Sequence, residues 1–286
     1  MWGMRIDLHT HSRVSDGTDT PTRLVLEALE AGLDVIALTD HDTFDGVPEA
    51  VAAGERLGVR VIPGVEMSTD VAGHSVHLLG YGCRMQDVAL TAELHALRSG
   101  RSQRLPSMCE KLTAAGVPIT MKDITTTSQS ARALGRPHVA DALVAKGYVA
   151  DRTEAFDKYL AEGRPGFVAR YSTDLARAIT LVHNAGGAAV IAHPWARGNH
   201  DVLTASLFES LVTGYGLDGI EVDHEDHDTD TRRLLFEMGA RRGLVRTGSS
   251  DYHGAGKKGH ALGCNLTRKS AFLELVSRIR ARGGIA

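Results

Sequence analysis

The sequence predicts an α/β protein built on a barrel of seven strands, and three features of the chain support that prediction. Short apolar runs and amphipathic helical segments alternate along most of its 286 residues. The run LDVIAL, residues 33–38, is almost continuously apolar, as is typical of a strand buried on both faces of a parallel sheet. Histidine and carboxylate side chains follow the apolar runs, and active sites of α/β barrels lie at these strand ends.

Length and composition exclude several classes of protein. A chain of this size with 43% hydrophobic residues is long enough to form one large barrel. The net charge of -3 indicates no basic surface for duplex DNA. The three widely spaced cysteines argue against a disulfide framework and a zinc ribbon. The sequence shows no signal peptide and no apolar run of membrane-spanning length, so we expect a cytoplasmic protein that does not bind a membrane. We also expect no obligatory protein partner.

Four strands and two helices are predicted before residue 98. Residues 5–8 alternate as a strand does, and His9 and His11 beyond them face the same side. Apolar residues at helical spacing predict helices over residues 21–31 and 47–57. The remaining strands are expected over residues 33–38, 59–63 and 75–81. We expect strands and helices to alternate, with a metal-binding side chain at or just beyond the C-terminal end of each strand.

The alternation breaks between residues 98 and 171. This stretch is a series of polar helical segments that end at Gly116, Gly147 and Gly163, and it contains no convincing strand. We therefore expect a small helical domain over residues 98–171, inserted as a cap over the mouth of a barrel formed by residues 1–97 and 172–286.

Alternation resumes after residue 172. A helix from residue 174 precedes the strand AAVIAHPW, which delivers His193. The strand GIEVDHEDH delivers Glu221, His224 and His227, and the strand in LVRTGSSDYHG delivers Asp251 and His253. Further helices are expected over residues 231–242 and 270–282. In total, seven strands are predicted to begin near residues 5, 35, 59, 75, 188, 219 and 244.

The strand ends supply a large set of metal-binding side chains. They are His9, His11, Asp16, Asp40, His41, Glu66, His77, His193, His224, Asp251 and His253. Imidazole and carboxylate without thiolate suit manganese, iron, zinc or cobalt. Eleven such groups are too many for one tetrahedral ion, so two or three ions are implied, as in sites that clamp both the attacking and the leaving oxygen of a phosphoryl transfer.

The order of these motifs resembles the PHP (polymerase and histidinol phosphatase) family of metal-dependent phosphoesterases. The matching segments are DLHTHS with Asp16, TDHD, PGVE, His77, AHP and SDYHG. The resemblance implies a distorted seven-stranded barrel with three divalent ions, manganese first, with iron, zinc or magnesium as alternatives. It assigns one ion to His9, His11 and Asp251, a second to Glu66, His77 and His193, with Glu66 bridging, and a third to Asp16, His41 and His253. Asp40 would orient a metal-binding histidine by accepting a hydrogen bond from the ring nitrogen that does not bind the metal.

The charges of such a site suit an anionic substrate. Three divalent ions outweigh the carboxylates of Asp16, Glu66 and Asp251 by three charges, which one hydroxide and a phosphate dianion would balance. Metal coordination lowers the pKa of water to about 7, so we expect a metal-bound hydroxide to attack phosphorus.

The predicted cap contains the segment GRPH, with Arg136 and His138 at the start of a helix. This segment resembles the family branch that acts on 3',5'-bisphosphonucleotides and short RNA 5' ends, which implies that both side chains clamp substrate phosphate. Arg170 and His224 are further candidates for substrate contact. The histidines at 74, 95, 183, 200 and 260 are expected to be structural or solvated without partners, and Lys257 either attracts the anion or is solvated.

The preferred function is hydrolysis of phosphate monoesters of small nucleotides. A 5'-3' exonuclease of short RNA and a histidinol-phosphate phosphatase are alternatives within the same chemistry. An amidohydrolase-type metal hydrolase is the alternative from a different class, although no apolar strand here ends in the lysine that many such enzymes use.

Overall fold

The computed structural model describes residues 3–128, 131 and 133–286. Its strands are β1 Ile6–Thr10, β2 Val35–Leu38, β3 Arg60–Val71, β4 His74–Tyr81, β5 Thr173–Asp174, β6 Ala188–Ala192, β7 Gly219–Asp223 and β8 Val245–Gly248. Its helices are α1 Pro21–Glu30, α2 Val47–Leu57, α3 Val88–Gln103, α4 Leu105–Ala114, α5 Met121–Thr127, α6 Arg136–Ala145, α7 Arg152–Ala155, α8 Leu175–Asn184, α9 Ala205–Tyr215, α10 Thr229–Arg241 and α11 Lys269–Ala281. None of the described helices is long and apolar enough to cross a membrane.

Seven strands form a nearly closed barrel in the order β1-β2-β3-β4-β6-β7-β8, which confirms the predicted fold class. The two end strands meet where Thr10 pairs with Tyr252, and the backbone N–H of His11 donates to the carbonyl of Tyr252 at 2.8 Å. Closure therefore occurs between two segments that carry predicted metal-binding residues. The two-residue strand β5, which was not predicted, pairs with β3 outside the barrel order.

The expected alternation of strand and helix is wrong between β3 and β4. These strands form an antiparallel hairpin, and β4 is also antiparallel to β6. Glu66 consequently lies inside β3, which continues to Val71 rather than ending at Pro63. His77 lies in the first half of β4 and pairs with Ala192 at the end of β6, so the reversed strand brings it to the same barrel edge.

Two apolar clusters hold the barrel together. Inward side chains of the strands, such as Leu8, Ala37 and Val190, pack with Phe272 and Leu275 of α11. Outward side chains pack against the surrounding helices. Because each buried methylene contributes about 0.8 kcal/mol, these layers fix the strand ends that carry the site.

Helices α4 to α7 surround a third apolar cluster of their own, which includes Leu105, Leu112, Val139, Leu143 and Leu160. A single π-helical turn, Phe156–Leu160, continues α7. The predicted segment 98–171 contains residues 129, 130 and 132, which lie outside the described residues. Its first boundary falls within α3, whose buried side chains Leu90, Leu94 and Leu97 belong to the outer barrel cluster. The division into two domains stays a prediction.

Candidate metal centre

Nine predicted ligands meet at one edge of the barrel, and all of them are buried, with exposed fractions of 8% or less. They are His9, His11, Asp16, His41, Glu66, His77, His193, Asp251 and His253. They come from β1, β3 and β4 and from the segments that follow β1, β2, β6 and β8. The common edge exists because the parallel strands end there and the reversed strand β4 begins near it.

The carboxylate of Glu66 lies at the middle of this group and is surrounded by histidine rings. The shortest nitrogen-to-oxygen distances are 2.6 Å for His77, 3.1 Å for His11, 3.1 Å for His41, 3.2 Å for His193 and 3.3 Å for His9. Both oxygens take part, since His77 and His193 lie against Oε1 and the other three against Oε2. Such a carboxylate has the position expected of a bridging ligand.

A second group is centred on Asp251. Its Oδ1 lies 3.3 Å from Nε2 of His9 and 3.3 Å from Nε2 of His11, and these two nitrogens are 3.0 Å apart. His9, His11 and Asp251 offer ligand atoms that all lie within 4.8 Å of one another. The structure thus brings together the three side chains expected to share one ion.

A third group is centred on Asp16. Its carboxylate oxygens lie 3.3 Å from Nε2 of His253, 3.6 Å from Nε2 of His41 and 3.7 Å from Nδ1 of His11. These four residues form a compact group of potential ligands, and His11 therefore belongs to two groups. Around Glu66, the compact set contains His41 and His77, while His193 completes the shell through its contact with Oε1.

The charge states of three carboxylates and two histidines of this group suit cations, whereas neighbouring carboxylates outweigh burial and raise the pKa values of His9 and His11. Burial alone would raise the pKa of each carboxyl group, but the surrounding histidines outweigh burial and hold the pKa values of Asp16 and Glu66 well below the usual range. Lys257, together with nearby histidines, does the same for the pKa of Asp251. Burial lowers the pKa values of His41 and His253 and so favours the neutral rings that bind metal. The carboxylates stay ionised and these imidazoles keep a lone pair.

Orphaned polar atoms supply an independent test of whether divalent ions fit here. Nδ1 of His41 and Oδ1 of Asp251 are buried and make no well-aligned hydrogen bond among the described residues, although other potential metal ligands lie 3.1–3.3 Å from them. An unpaired buried acceptor costs about 1–3 kcal/mol, so both atoms favour a bound cation. Together with the oxygen and imidazole donors, they fit divalent ions of the manganese, iron or zinc type.

Backbone strain is concentrated at the same place. Among the described residues other than glycine, positive φ angles occur at Asp42 (56°), Ala72 (51°), His193 (28°) and Asp251 (51°). Ala72 lies in the β3–β4 turn, whereas the other three flank or belong to the metal-binding group. Such conformations cost about 1–3 kcal/mol each and persist where the surrounding structure imposes them, typically at functional sites.

Glu221 is a site residue that was not predicted as one. It is fully buried in β7, and its carboxylate oxygens lie 3.2 and 3.3 Å from Nδ1 of His9. The same carboxylate accepts hydrogen bonds from the backbone of His193 at 2.9 Å and from the hydroxyl of Ser249. Burial would raise the pKa of Glu221, but His9 and other nearby histidines lower it to about 2. Glu221 therefore orients His9 and fixes the backbone at His193.

Asp40 has a different contact from the one expected. Its carboxylate accepts hydrogen bonds from the backbone and hydroxyl of Ser12, at 2.8 and 2.7 Å, and from the hydroxyl of Ser15 at 2.6 Å. Within the described part of the chain, these contacts run to the turn before Asp16 and not to a histidine ring. Asp40 thus holds the turn that positions Asp16.

The two substrate-binding residues predicted in the cap, His138 and Arg136, have different surroundings. His138 is buried, and its Nδ1 accepts from the backbone of Gly135 at 3.1 Å while the ring also hydrogen-bonds to the backbone of Ser15. Its ring is therefore tied to the protein. Arg136 lies over the rings of Phe156 and Phe167 at 5.5 and 5.7 Å, and it is half-buried.

His224 and two residues of the last loop lie beside Asp251. Nε2 of His224 lies 3.5 Å from Oδ2 of Asp251, and Nζ of Lys257 donates to the same oxygen at 2.6 Å. His260 is buried with its Nδ1 2.7 Å from the carbonyl of Ser250. The expectation that His260 lacks partners is wrong. It is also wrong for His183, whose Nε2 lies 2.8 Å from Asp218.

Comparison with known proteins identifies the family. The PHP domain model matches residues 7–212, which is more than half of the chain. The 3',5'-nucleoside bisphosphate phosphatase of Chromobacterium violaceum is 37% identical over 261 residues, covering 90% of each chain. The 5'-3' exoribonuclease of Haemophilus influenzae is 35% identical over 257 residues, covering 87% of this chain and 90% of the relative. A crystal structure from Bifidobacterium adolescentis, described as a metal-dependent phosphoesterase, superimposes with a TM-score of 0.91 at 33% identity over 96% of each chain.

Proposed function

The chain belongs to the PHP domain family and is a metal-dependent phosphoesterase, and from this premise we propose that it removes phosphate from small nucleotides, with nucleoside 3',5'-bisphosphates as the first candidates. The observation that carries the proposal is the buried group of six histidines and three carboxylates around Glu66. The similarity to a bisphosphate phosphatase over nearly the whole chain supports this choice of substrate.

We propose three ions at this centre, manganese first, with iron, zinc or magnesium as alternatives. The proposed ligand sets are His9, His11 and Asp251 for the first ion, Glu66, His77 and His193 for the second, and Asp16, His41 and His253 for the third. His11 and Glu66 lie within reach of two sets, which supports shared ligation. When bound, divalent ions neutralise phosphate oxygens and make water a stronger nucleophile at neutral pH.

The residues around the centre position its ligands and its substrate. Glu221 fixes the ring of His9, and Asp40 fixes the turn before Asp16. Nδ1 of His224 accepts from the backbone of Asp226 at 3.1 Å, so a neutral ring carries its proton on Nε2, the nitrogen that faces Asp251. We assign to this N–H a hydrogen bond to a phosphate oxygen of the substrate.

The predicted cap residues have different proposed roles. Arg136 contributes a guanidinium for a phosphate group of the substrate, as its planar fork favours. His138 links the start of α6 to Ser15 of the metal-binding turn. In this way residues 98–171 would both cover the centre and hold one of its ligand segments.

A phosphate-release assay tests the proposed function. Protein reconstituted with manganese is expected to release inorganic phosphate from a nucleoside 3',5'-bisphosphate faster than from histidinol phosphate, and not to hydrolyse a cyclic amide. The variant Glu66→Gln should lose at least about 10³-fold in turnover, since one residue central to the metals is neutralised. The matched control Glu162→Gln changes an exposed glutamate and should retain wild-type activity. Equal activity in Glu66→Gln and Glu162→Gln would refute the proposal.

The second candidate is 5'-3' cleavage of short RNA. The similarity to the exoribonuclease nearly equals that to the bisphosphate phosphatase, so the same chemistry with a nucleotide leaving group has comparable support. Incubation with a 5'-phosphorylated oligoribonucleotide separates the two candidates. Release of mononucleotides one at a time supports the exonuclease, whereas release of inorganic phosphate alone from bisphosphonucleotides supports the phosphatase.

A further inference from the structure

Four arginine side chains lie together next to the metal-binding residues. Arg101 belongs to α3, Arg104 links α3 to α4, Arg136 begins α6 and Arg170 lies between α7 and β5. Arg101 and Arg104 are only 5% and 6% exposed, and the other two are half-buried. We call these four residues the arginine cluster.

The arginine cluster adjoins the metal centre through Arg101. Its Nε donates to Oδ2 of Asp42 at 2.5 Å, and its Nη2 donates to the hydroxyl of Ser68 at 2.6 Å. Asp42 follows His41, and Ser68 lies two residues after Glu66 on β3. The cluster is therefore beside the part of the centre that contains His41 and Glu66.

The positive charges of Arg104 and Arg170 are not balanced by nearby carboxylates. Arg104 donates from Nη1 to the carbonyl of Val168 at 3.2 Å, and its Nε is buried without a hydrogen-bond partner. Arg170 donates to the carbonyl of Tyr171 at 3.2 Å. In the described part of the chain, no carboxylate oxygen lies within 4.0 Å of a guanidinium nitrogen of Arg104 or Arg170.

Burial and repulsion between guanidinium groups both disfavour the charged forms of Arg104 and Arg170. Burial, together with the other guanidinium groups, lowers the pKa values of Arg104 and Arg170 below the usual range, although Asp42 and Glu66 partly oppose this for Arg170. A buried cation is costly unless an anion pairs with it. The arrangement is consequently one that a bound anion would stabilise, and guanidinium groups match phosphate oxygens with two parallel hydrogen bonds.

We propose that the arginine cluster binds a second phosphate of the substrate, distinct from the phosphate hydrolysed at the metal centre. This inference rests on the proposed function and narrows its substrates to molecules with two phosphate groups. The second group is either the other terminal phosphate of a bisphosphonucleotide or the 5'-phosphate of a short RNA whose internucleotide phosphate is hydrolysed at the metal centre. Both present the negatively charged oxygens of a terminal phosphate group to Arg104 and Arg170.

Substrate discrimination by the manganese-loaded protein tests this inference. We would compare kcat/KM for a nucleoside 3',5'-bisphosphate, a 5'-phosphorylated diribonucleotide and p-nitrophenyl phosphate, which has one phosphate. In Arg104→Gln, kcat/KM for at least one two-phosphate substrate should fall about 10- to 100-fold more than kcat/KM for p-nitrophenyl phosphate. Most of this difference should be an increase in KM. The substrate with the selective loss identifies the source of the second phosphate. The matched control is Arg164→Gln, an exposed arginine of the same segment, which should show no selective loss. Equal losses on all three substrates in Arg104→Gln overturn the inference.

Phosphate binding supplies a second readout that does not require turnover. Inorganic phosphate should raise the Tm of wild-type protein and of Arg164→Gln, and it should raise the Tm of Arg104→Gln distinctly less. In phosphate-free buffer, the Tm of Arg104→Gln should not fall below that of wild type, because the variant loses one hydrogen bond but also a repelled buried cation. Arg170→Gln provides the same comparison if Arg104→Gln folds poorly. An identical phosphate response in the variants and in wild type contradicts the inference. A wild-type protein that responds to phosphate but hydrolyses none of the substrates refutes the proposed function instead.

Discussion

Replacement of Glu221 by glutamine is the sharpest test of how the metal centre is held. Both carboxylate oxygens of Glu221 lie within 3.3 Å of Nδ1 of His9, and one of them also accepts the backbone N–H of His193. Glutamine has nearly the same shape but only one acceptor oxygen and no charge. Its amide nitrogen would therefore face His9 Nδ1, the backbone of His193 or the hydroxyl of Ser249, and at least one of these contacts is lost.

The expected cost follows from the role of Glu221 behind a metal-binding histidine. Loss of such a partner typically lowers metal affinity or activity about 10- to 100-fold, which corresponds to about 1.4–2.7 kcal/mol. The assay measures retained manganese by mass spectrometry after dialysis, and phosphate release as a function of manganese concentration. Glu221→Gln should need about 10- to 100-fold more manganese for half-maximal activity than the exposed control Glu162→Gln. Manganese retention and activity within twofold of wild type would refute the reasoning.

Three further variants test other parts of the structure. Asp218 is buried, lies 2.8 Å from Nε2 of His183 and pairs with Arg282 at 2.9 Å. The hydrogen bond with His183, followed by those with the backbone of Ala189 and with Arg282, outweighs burial and lowers the pKa of Asp218, so Asp218→Asn should cost about 3 kcal/mol of unfolding free energy at pH 7. A lowered pKa in the folded state gives its full stabilisation above the unfolded pKa and loses it as the pH falls through the folded pKa, so this difference in urea denaturation should shrink as the pH falls below about 4. Asp40→Asn should cost about 1–3 kcal/mol in the same assay and weaken manganese retention, since its three acceptor contacts cannot all survive. Arg152 donates to the carbonyl of Asp16 at 2.9 Å and pairs with Asp141. Arg152→Gln should therefore displace the segment that carries the ligand Asp16 and lower kcat/KM about tenfold. If Asp141→Asn added a further independent loss to Arg152→Gln, the proposed link would be contradicted.

The barrel could be predicted because its strands are short, apolar and regularly spaced. The hairpin of β3 and β4 could not, because Pro63 suggests the end of a strand. Pro63 pairs with Leu38, the last residue of β2, so the missing N–H falls where that pairing stops and β3 continues to Val71. Local sequence did not reveal this coincidence of two strand ends.

The strand ends of the sequence drew attention to eleven histidine and carboxylate side chains, and the resemblance to the PHP family selected the nine proposed ligands among them. Glu221 left a signal that could have been used, since a glutamate between Ile220 and Val222 in a buried strand needs a partner. Arg101 left no such signal, because its partner Asp42 is 59 positions away and the two are brought together only by packing between segments. Lys257 was considered as an anion contact, but its sequence position did not reveal its contact with Asp251.

Anomalous diffraction from crystals of the manganese-loaded protein tests the central claim most directly. The account predicts manganese peaks within the group formed by His9, His11, Asp16, His41, Glu66, His77, His193, Asp251 and His253, in protein that releases phosphate from nucleotides. Active crystals with manganese bound at another place, or with no manganese at this edge of the barrel, would contradict it.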